Sequence, residues 1–224
     1  MWDWVFPPLC ASCAAPLLPE EKEVCLRCLL RLPQTLFWRN PTHNEAYYRL
    51  APHAPTLHGA ISGFWYVEGS PLRRWVQLAK YHNQPEALYG AAYFLGSLLR
   101  QEGIVPFPSW KALLAVPISE ARLRRRGYNQ AEWAARGLAQ ALEVPLLTGR
   151  WRRQHATTSQ VAKGRIQRWT SMEGEFICVG PIPSPVAVVD DVLTTGATLS
   201  AALQSLPPET HVWVVTVGIT QRRR

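Results

Sequence analysis

Two adjacent carboxylates stand between an apolar run and a turn of small, hydroxylic residues in the last third of the chain. The run Val186–Val189 is typical of a parallel strand that is covered on both faces, and Asp190 and Asp191 follow it directly. Every residue of the turn 194–198 is small or carries a hydroxyl, so backbone N–H groups and threonine hydroxyls can converge on a phosphate. The acids can accept hydrogen bonds from sugar hydroxyls or bind Mg²⁺. The stretch therefore predicts a site for a sugar phosphate.

The same stretch resembles the signature with which type I phosphoribosyltransferases bind 5-phosphoribosyl-1-pyrophosphate (PRPP). The resemblance implies that Asp190 and Asp191 bind the ribose 2′- and 3′-hydroxyls, that the turn binds the 5′-phosphate, and that Mg²⁺ accompanies PRPP. The implied PRPP-binding residues are Asp190, Asp191, Thr194, Thr195, Gly196, Ala197 and Thr198. An ordinary strand–turn–helix junction is the alternative, although it needs neither the acids nor the hydroxyls. No Gly-Lys-Ser/Thr follows the turn, which excludes a Walker phosphate loop.

Four of the five cysteines form two Cys-x-x-Cys pairs near the start of the sequence, Cys10 with Cys13 and Cys25 with Cys28. Two such pairs supply the four thiolates of a tetrahedral Zn²⁺ site, whose closed shell leaves no position for catalysis. A disulfide framework is the alternative, and the short loops and the expected reducing compartment argue against it. The fifth cysteine, Cys178, is predicted to be a buried strand residue.

The composition indicates a basic globular protein. The chain has 224 residues, of which 47% are hydrophobic and 18% charged, and its net charge of +8 favours anionic partners such as nucleotides or nucleic acid. Ten tryptophans fit either core packing or base stacking. No apolar stretch approaches the roughly 20 residues of a membrane span, and the start of the sequence lacks the basic region of a signal peptide. We therefore expect a cytoplasmic protein without a membrane span.

The pattern of apolar residues divides the chain into three parts: a zinc ribbon at 1–33, a connector with hood helices at 34–110, and an α/β domain at 111–224. The hood part contains a predicted strand around Ile61–Val67 and predicted helices at Pro71–Lys80 and Pro85–Arg100. The strands predicted for the α/β domain are 112–117, 144–147, 176–179, 186–189 and 212–219, with helices at 130–142 and 199–206. The expected fold class is α/β, with a mostly parallel sheet like that of type I phosphoribosyltransferases, a helical hood and a small N-terminal zinc ribbon.

A cationic loop at 122–126 is predicted after the first strand of the α/β domain. Loops at the carboxyl ends of strands in an open α/β sheet face the ligand, so this loop can close on the same site as Asp190 and Asp191. Arginine forks suit pyrophosphate oxygens. A solvated basic loop ahead of a helix is the alternative.

Three motifs resemble a narrower family, the ComF competence proteins of bacterial DNA uptake. Val116-Pro117 with Arg122, followed by the run 126–130 (Arg-Gly-Tyr-Asn-Gln), is similar to a segment of that family, Lys80-Tyr81 is similar to its Lys-Tyr element, and the four-cysteine ribbon also matches. The resemblance implies a role in handling incoming single-stranded DNA in the cytoplasm during natural transformation. It also implies a competence helicase or other DNA-processing proteins as candidate partners.

The segment 150–169, which precedes Phe176, resembles the mobile flap of the ComF family, with a surface hairpin as the alternative. The candidates for pyrophosphate or flap contacts are Lys80, Tyr81, Arg122, Arg126, Asn129, Gln160 and Arg165. The candidates for DNA contacts are Arg124, Arg125, Arg152, Arg153, Trp151 and Trp169.

The sequence leaves two functions open. As an enzyme, the protein would transfer the phosphoribosyl group of Mg²⁺-bound PRPP to an unidentified acceptor and release pyrophosphate. As a binding protein, it would bind PRPP or a ribose 5-phosphate together with single-stranded DNA. The sequence contains the PRPP half of a site, but no base-recognition element is evident and no catalytic residue is assigned. The binding function is therefore favoured.

Overall fold

Buried apolar runs form the centre of a parallel sheet in the structure, a computed structural model that describes residues 7–21, 23–103, 109–154 and 175–221. The sheet consists of β1 (Leu57–Trp65), β2 (Ala112–Ala115), β5 (Val186–Leu193) and β6 (Val212–Ile219), in the order β1-β6-β5-β2 and all parallel. Strands that are buried on both faces need apolar residues at every position, which explains the continuous runs of β5 and β6. The structure confirms the predicted α/β class with a mostly parallel sheet.

Helices cover the sheet on both faces. The helices of the described chain are α1 (Leu26–Leu29), α2 (Glu45–Leu50), α3 (Pro71–Tyr81), α4 (Glu86–Glu102), α5 (Glu120–Arg126), α6 (Gln130–Leu142) and α7 (Ala197–Gln204), with short 3₁₀ helices at Phe37–Arg39 and Ala51–His53. Alternate residues of β5 point into two separate cores: Ala187 and Val189 pack with α4 and α6, whereas Val186 and Val188 pack with α2 and α7. Along the described chain, no helix is both long enough and apolar enough to cross a membrane.

Helices α4 and α6 lie against each other because small residues face each other at their contact. A Cβ on Gly137 would lie 2.4 Å from the carbonyl oxygen of Tyr89, and one on Gly96 would lie 2.6 Å from Cβ of Ala141. The close approach turns α4 and α6 into one layer on the sheet. α4, which was predicted to belong to the hood, shares one core with α6 and with residues of β5 and β6.

Several predicted elements need correction. β1, predicted as part of the hood, is an edge strand of the main sheet, so the sheet extends across the predicted boundary at residue 110. The segment predicted as a main-sheet strand at 176–179 is β4 (Phe176–Cys178), which pairs antiparallel with β3 (Trp151–Arg153) in a separate ribbon. The segment 144–147 contributes a single parallel bridge, from Leu146 to Leu113.

Two further corrections concern the residues around the predicted site. The cationic segment at 122–126 belongs to helix α5, not to a loop, because Ser119 caps the helix by accepting a hydrogen bond from the N–H of Arg122 at 3.4 Å. α7 begins at Ala197, two residues earlier than predicted, directly after the small-residue turn.

Candidate functional site

The carboxyl ends of β2 and β5 open into a cavity of about 400 Å³. Four separate parts of the chain line it: the end of α3, the segment from β2 to the start of α6, the end of β5 with its turn, and β3. Its polar and charged lining residues are Lys80, Tyr81, Arg122, Arg125, Arg126, Asn129, Gln130, Arg153, Asp190, Asp191, Thr194 and Thr198. The topology thus brings the predicted acids, turn and cations to one cavity, as the strand-end argument predicts.

The acid pair is held at the end of β5. Asp191 is only 8% exposed, and its Oδ2 lies 2.8 Å from Nζ of Lys80. Oδ1 of Asp190 accepts a hydrogen bond from the N–H of Asp191 at 2.8 Å. Burial, together with the charge of Asp191, raises the pKa of Asp190 well above its ordinary value. Burial lowers the pKa of Lys80, but the charge of Asp191 outweighs it and raises that pKa overall. Lys80 therefore remains the cation that neutralises Asp191 at neutral pH.

The turn after β5 presents backbone N–H groups and hydroxyls to the cavity. Gly196 has a φ of +89°, in the left-handed region, and precedes the first turn of α7. Thr194, Gly196 and Thr198 line the cavity, whereas Thr195 accepts a hydrogen bond from the N–H of Ala197 at 3.4 Å. The N-terminal amides and dipole of α7 favour an anion at this position.

Arg49 of α2 fixes the start of this turn, a role that the sequence analysis missed. The residue is 6% exposed, and its guanidinium donates hydrogen bonds to the carbonyl oxygens of Leu193 and Thr194 and to both oxygens of Thr220. It also forms an ion pair with Glu45, one turn earlier in α2. Arg49 stands in a connector without clear periodicity, and its partners Leu193, Thr194 and Thr220 are 144 to 171 residues away in sequence, so no local pattern indicates these contacts.

Three arginines of α5 form a cationic wall of the cavity, namely Arg122, Arg125 and Arg126. Burial and the charges of its two arginine neighbours lower the pKa of Arg126. Within the described residues, Nε of Arg126 is buried without a hydrogen-bond partner, and none of the three arginines forms an ion pair. The wall therefore presents positive charge for an external anion to neutralise.

The remaining residues of the Arg-Gly-Tyr-Asn-Gln motif connect this wall to its neighbours. The hydroxyl of Tyr128 donates to the carbonyl oxygen of Ala79 at the end of α3. Asn129 uses both amide atoms in the protein: Nδ2 donates to the carbonyl oxygen of Val116 at 2.9 Å, and Oδ1 caps α6. Gln130 is 3% exposed and lines the cavity, and in the described structure its Nε2 has no hydrogen-bond partner.

The predicted DNA contacts fall into different environments. Arg124 is exposed and pairs with Glu120 at 3.2 Å. Arg152 is exposed on β3, and Arg153 lines the cavity, where its Nε donates to Glu175 at 2.7 Å. The candidates Gln160, Arg165 and Trp169 lie outside the described residues.

Trp151 requires a correction. It is 6% exposed, its Nε1 donates to Ser205 at 2.9 Å, and its ring packs on Phe176. A ring buried in this way cannot stack on a base, so the prediction that Trp151 contacts DNA is wrong.

The cysteine cluster forms a candidate metal centre apart from the cavity. The sulfur atoms of Cys10, Cys13, Cys25 and Cys28 all lie within 4.8 Å of one another, and those of Cys13 and Cys25 are 3.7 Å apart. A tetrahedral ion with Zn–S bonds of about 2.3 Å requires sulfur atoms about 3.8 Å apart, so the cluster fits a structural metal such as zinc. Burial raises the pKa of Cys10, but backbone N–H groups, first that of Cys25, outweigh it and lower the pKa to about 7.

The fold and these two sites define a class: an α/β protein with a mostly parallel sheet, an acid pair at a strand end and a four-cysteine cluster. Among curated proteins, the chain is similar to Competence protein F of Haemophilus influenzae, with 35% identity over 94 residues. The match confirms the resemblance to the ComF family. It covers 40% of this chain and 41% of that protein. No family model matches the chain.

Proposed function

We propose that this protein binds PRPP with Mg²⁺ in the cavity at the end of β5, binds single-stranded DNA on the cationic wall beside it, and acts in DNA uptake during natural transformation. One observation carries the proposal: the acid pair, the threonine turn and three arginines without ion pairs among the described residues line the same cavity. The name of the relative, Competence protein F, supports the biological role. A cytoplasmic location and DNA-processing partners follow from that role.

Each group in the cavity has a role toward the ligand. The amides and hydroxyls of the turn 194–198 would bind the 5′-phosphate, and Asp190 and Asp191 would bind the ribose hydroxyls or the metal. Carboxylate oxygens suit Mg²⁺, which would offset the charge of the pyrophosphate when bound. Arginines of α5 would bind pyrophosphate oxygens in fork geometry. Lys80 would hold Asp191 in position until the ligand arrives.

Calorimetric titration with Mg²⁺ and PRPP tests the sugar-phosphate part. The double variant Asp190→Asn with Asp191→Asn removes the two carboxyl groups that would bind the metal or the ribose, each contact being worth about 1.5–3 kcal/mol, so we expect affinity to fall at least about a hundredfold. The matched control is Glu20→Gln with Glu209→Gln, which also removes two charges but from exposed positions outside the cavity. Equal affinity of the double variant and the wild type would contradict the PRPP site.

Competition tests the DNA part. Binding of a labelled single strand should weaken with salt, because phosphate contacts release counterions. Excess PRPP with Mg²⁺ should displace the strand if it occupies the same cavity wall. Arg124→Ala with Arg125→Ala should weaken all sequences about equally, because phosphate contacts carry no base information. Binding that is insensitive to salt and to these substitutions would rule out this wall.

The alternative function, phosphoribosyl transfer, would use the same PRPP site, but it would release pyrophosphate, which can be measured. Adding Mg²⁺, PRPP and single-stranded DNA should leave PRPP intact if the protein only binds. Pyrophosphate release that stops in the Asp190→Asn variant would favour the enzyme.

A further inference from the structure

A second cavity, of about 600 Å³, adjoins the first. The two share four lining residues, which are Lys80, Tyr81, Arg125 and Arg126. The other lining residues of the second cavity are Ala79, Asn83, Gly127 and Tyr128. The shared residues place a ligand in the second cavity directly beside a ligand in the first.

The second cavity carries uncompensated positive charge. Its lining contains three cations and no acidic residue. The charge of Lys80 is offset by Asp191 in the first cavity, whereas Arg125 and Arg126 form no ion pair in the described part of the chain. A phosphate group is the chemistry that suits two arginine forks in this position.

Tyr81 adds an aromatic surface to these cations. The residue is 72% exposed at the end of α3, and its ring contacts no other aromatic ring among the described residues. Tyr128, which also lines the cavity, is held by the hydrogen bond that its hydroxyl donates to Ala79. A Cβ on Gly127 would meet nothing within 4 Å, so the cavity is open at this point. An exposed ring beside paired arginines is suited to a heterocyclic base with an attached phosphate.

We propose that the second cavity binds one nucleotide unit of a DNA single strand, with its base on the Tyr81 ring and its phosphate on Arg125 and Arg126. This inference rests on the proposed function and assigns the strand a position next to the PRPP site, where its phosphate and the pyrophosphate of PRPP would compete for Arg125 and Arg126. A polyphosphate without a base, such as the pyrophosphate group of PRPP itself, would satisfy the arginines but would leave the ring without a partner.

The test compares two oligonucleotides of equal length and phosphate number, one of thymidylates and one abasic. The wild type should bind the thymidylate strand about tenfold more tightly, in line with stacking energies of about 1–3 kcal/mol per base. Tyr81→Ala should abolish this preference, whereas Tyr81→Phe, which keeps the ring, should retain it. Tyr48→Ala is the matched control, because Tyr48 is an exposed tyrosine of α2 outside both cavities.

Arginine variants test the phosphate contact. Arg125→Ala should weaken both oligonucleotides about tenfold, and Arg74→Ala, an exposed arginine of α3 outside both cavities, should change neither by more than about twofold. Salt-dependent DNA binding with no difference between the two oligonucleotides would overturn this inference and leave the proposed function standing. If the wild type binds neither oligonucleotide, this inference and the DNA part of the proposed function are both wrong, while the PRPP part is decided by its own titration.

Discussion

The cysteine cluster and the cavity differ in how far their groups satisfy one another. The four thiols come from one short segment, lie within 4.8 Å of one another and form a complete ligand set for one ion. The cavity takes its groups from segments far apart in sequence. Among its charged lining residues, Lys80 pairs with Asp191 and Arg153 pairs with Glu175. The three arginines that α5 contributes to the cavity, Arg122, Arg125 and Arg126, form no ion pair within the described residues.

The difference separates a structural site from a binding site. A closed shell of four ligands stabilises the fold and offers nothing to a substrate. A cavity with unpaired cations retains charge that only an external partner can neutralise. If this comparison holds, changes at the cluster should alter folding, and changes at the cavity should alter ligand affinity.

The largest expected effect is at the cluster. Cys13→Ser should reduce zinc content from one ion per chain to almost none and unfold the ribbon, because structural zinc contributes about 10–16 kcal/mol in small domains. Metal analysis should show the loss of zinc, and limited proteolysis should show cleavage within residues 7–33 while the strands β1, β2, β5 and β6 stay protected. Cys178→Ser is the control and should keep its zinc, since Cys178 lies outside the cluster. Full zinc content in Cys13→Ser would contradict the assignment.

The second prediction concerns the contribution of the buried Arg49 to the stability of the turn that borders the cavity. Arg49→Leu should cost about 3–5 kcal/mol in the free energy of unfolding, because it leaves buried carbonyl groups and Glu45 without their partner. Arg136→Leu removes a comparable pair with Glu132, also four residues apart but exposed, and should cost less than about 1 kcal/mol. Chemical denaturation measures both, and equal costs would show that the buried contacts of Arg49 add nothing.

A smaller effect is expected at Lys80. Lys80→Met leaves Asp191 beside Asp190 without a cation, so the free energy of unfolding should fall by about 2 kcal/mol in the absence of Mg²⁺. Added Mg²⁺ should restore much of this loss by binding the acid pair. Lys111→Met, at an exposed lysine, should show neither effect. A loss in Lys80→Met that Mg²⁺ leaves unchanged would argue against a metal at these acids.

The smallest predicted effect is a pH dependence. Because burial raises the pKa of Asp190, its neutral form is favoured in the folded protein, and stability from this group decreases as the pH rises through the raised pKa. Mg²⁺ must displace that proton, so affinity for Mg²⁺ and PRPP should decrease as the pH falls, by at most about tenfold per pH unit. Titrations of wild type and Asp190→Asn at several pH values isolate this contribution, since titration of the PRPP phosphates affects both equally. Identical pH profiles would contradict it.

Short sequence patterns predicted the features that depend on residues near each other in the chain. The bounds of α6 and β6 agree with the apolar periodicity, and the cysteine spacing predicted a cluster that the structure brings together. The strand-end rule predicted that the acids and the cations of α5 share one cavity. These inferences needed only neighbouring residues or a general property of parallel sheets.

Contacts between distant segments were not predictable in the same way. The pairing of β1 with β6 and the burial of Arg49 under the turn depend on segments more than 100 residues apart. Trp151 has the same local surroundings as a base-stacking tryptophan, a ring among arginines. Its burial against Phe176 and its hydrogen bond to Ser205 distinguish the two. Residue type and charge therefore identify a candidate, while tertiary burial decides its availability.

The position of β1 has a practical consequence for work with parts of this chain. A fragment beginning at residue 111 contains the acid pair, the turn and the arginine wall, and it matches the α/β domain predicted from the sequence. It would nevertheless lack β1, and β6 would become an unprotected edge strand of eight residues, nearly all buried and apolar. Bare apolar edges pair with other chains, so this fragment should form insoluble aggregates, whereas a fragment that includes residues 57–65 should remain dispersed.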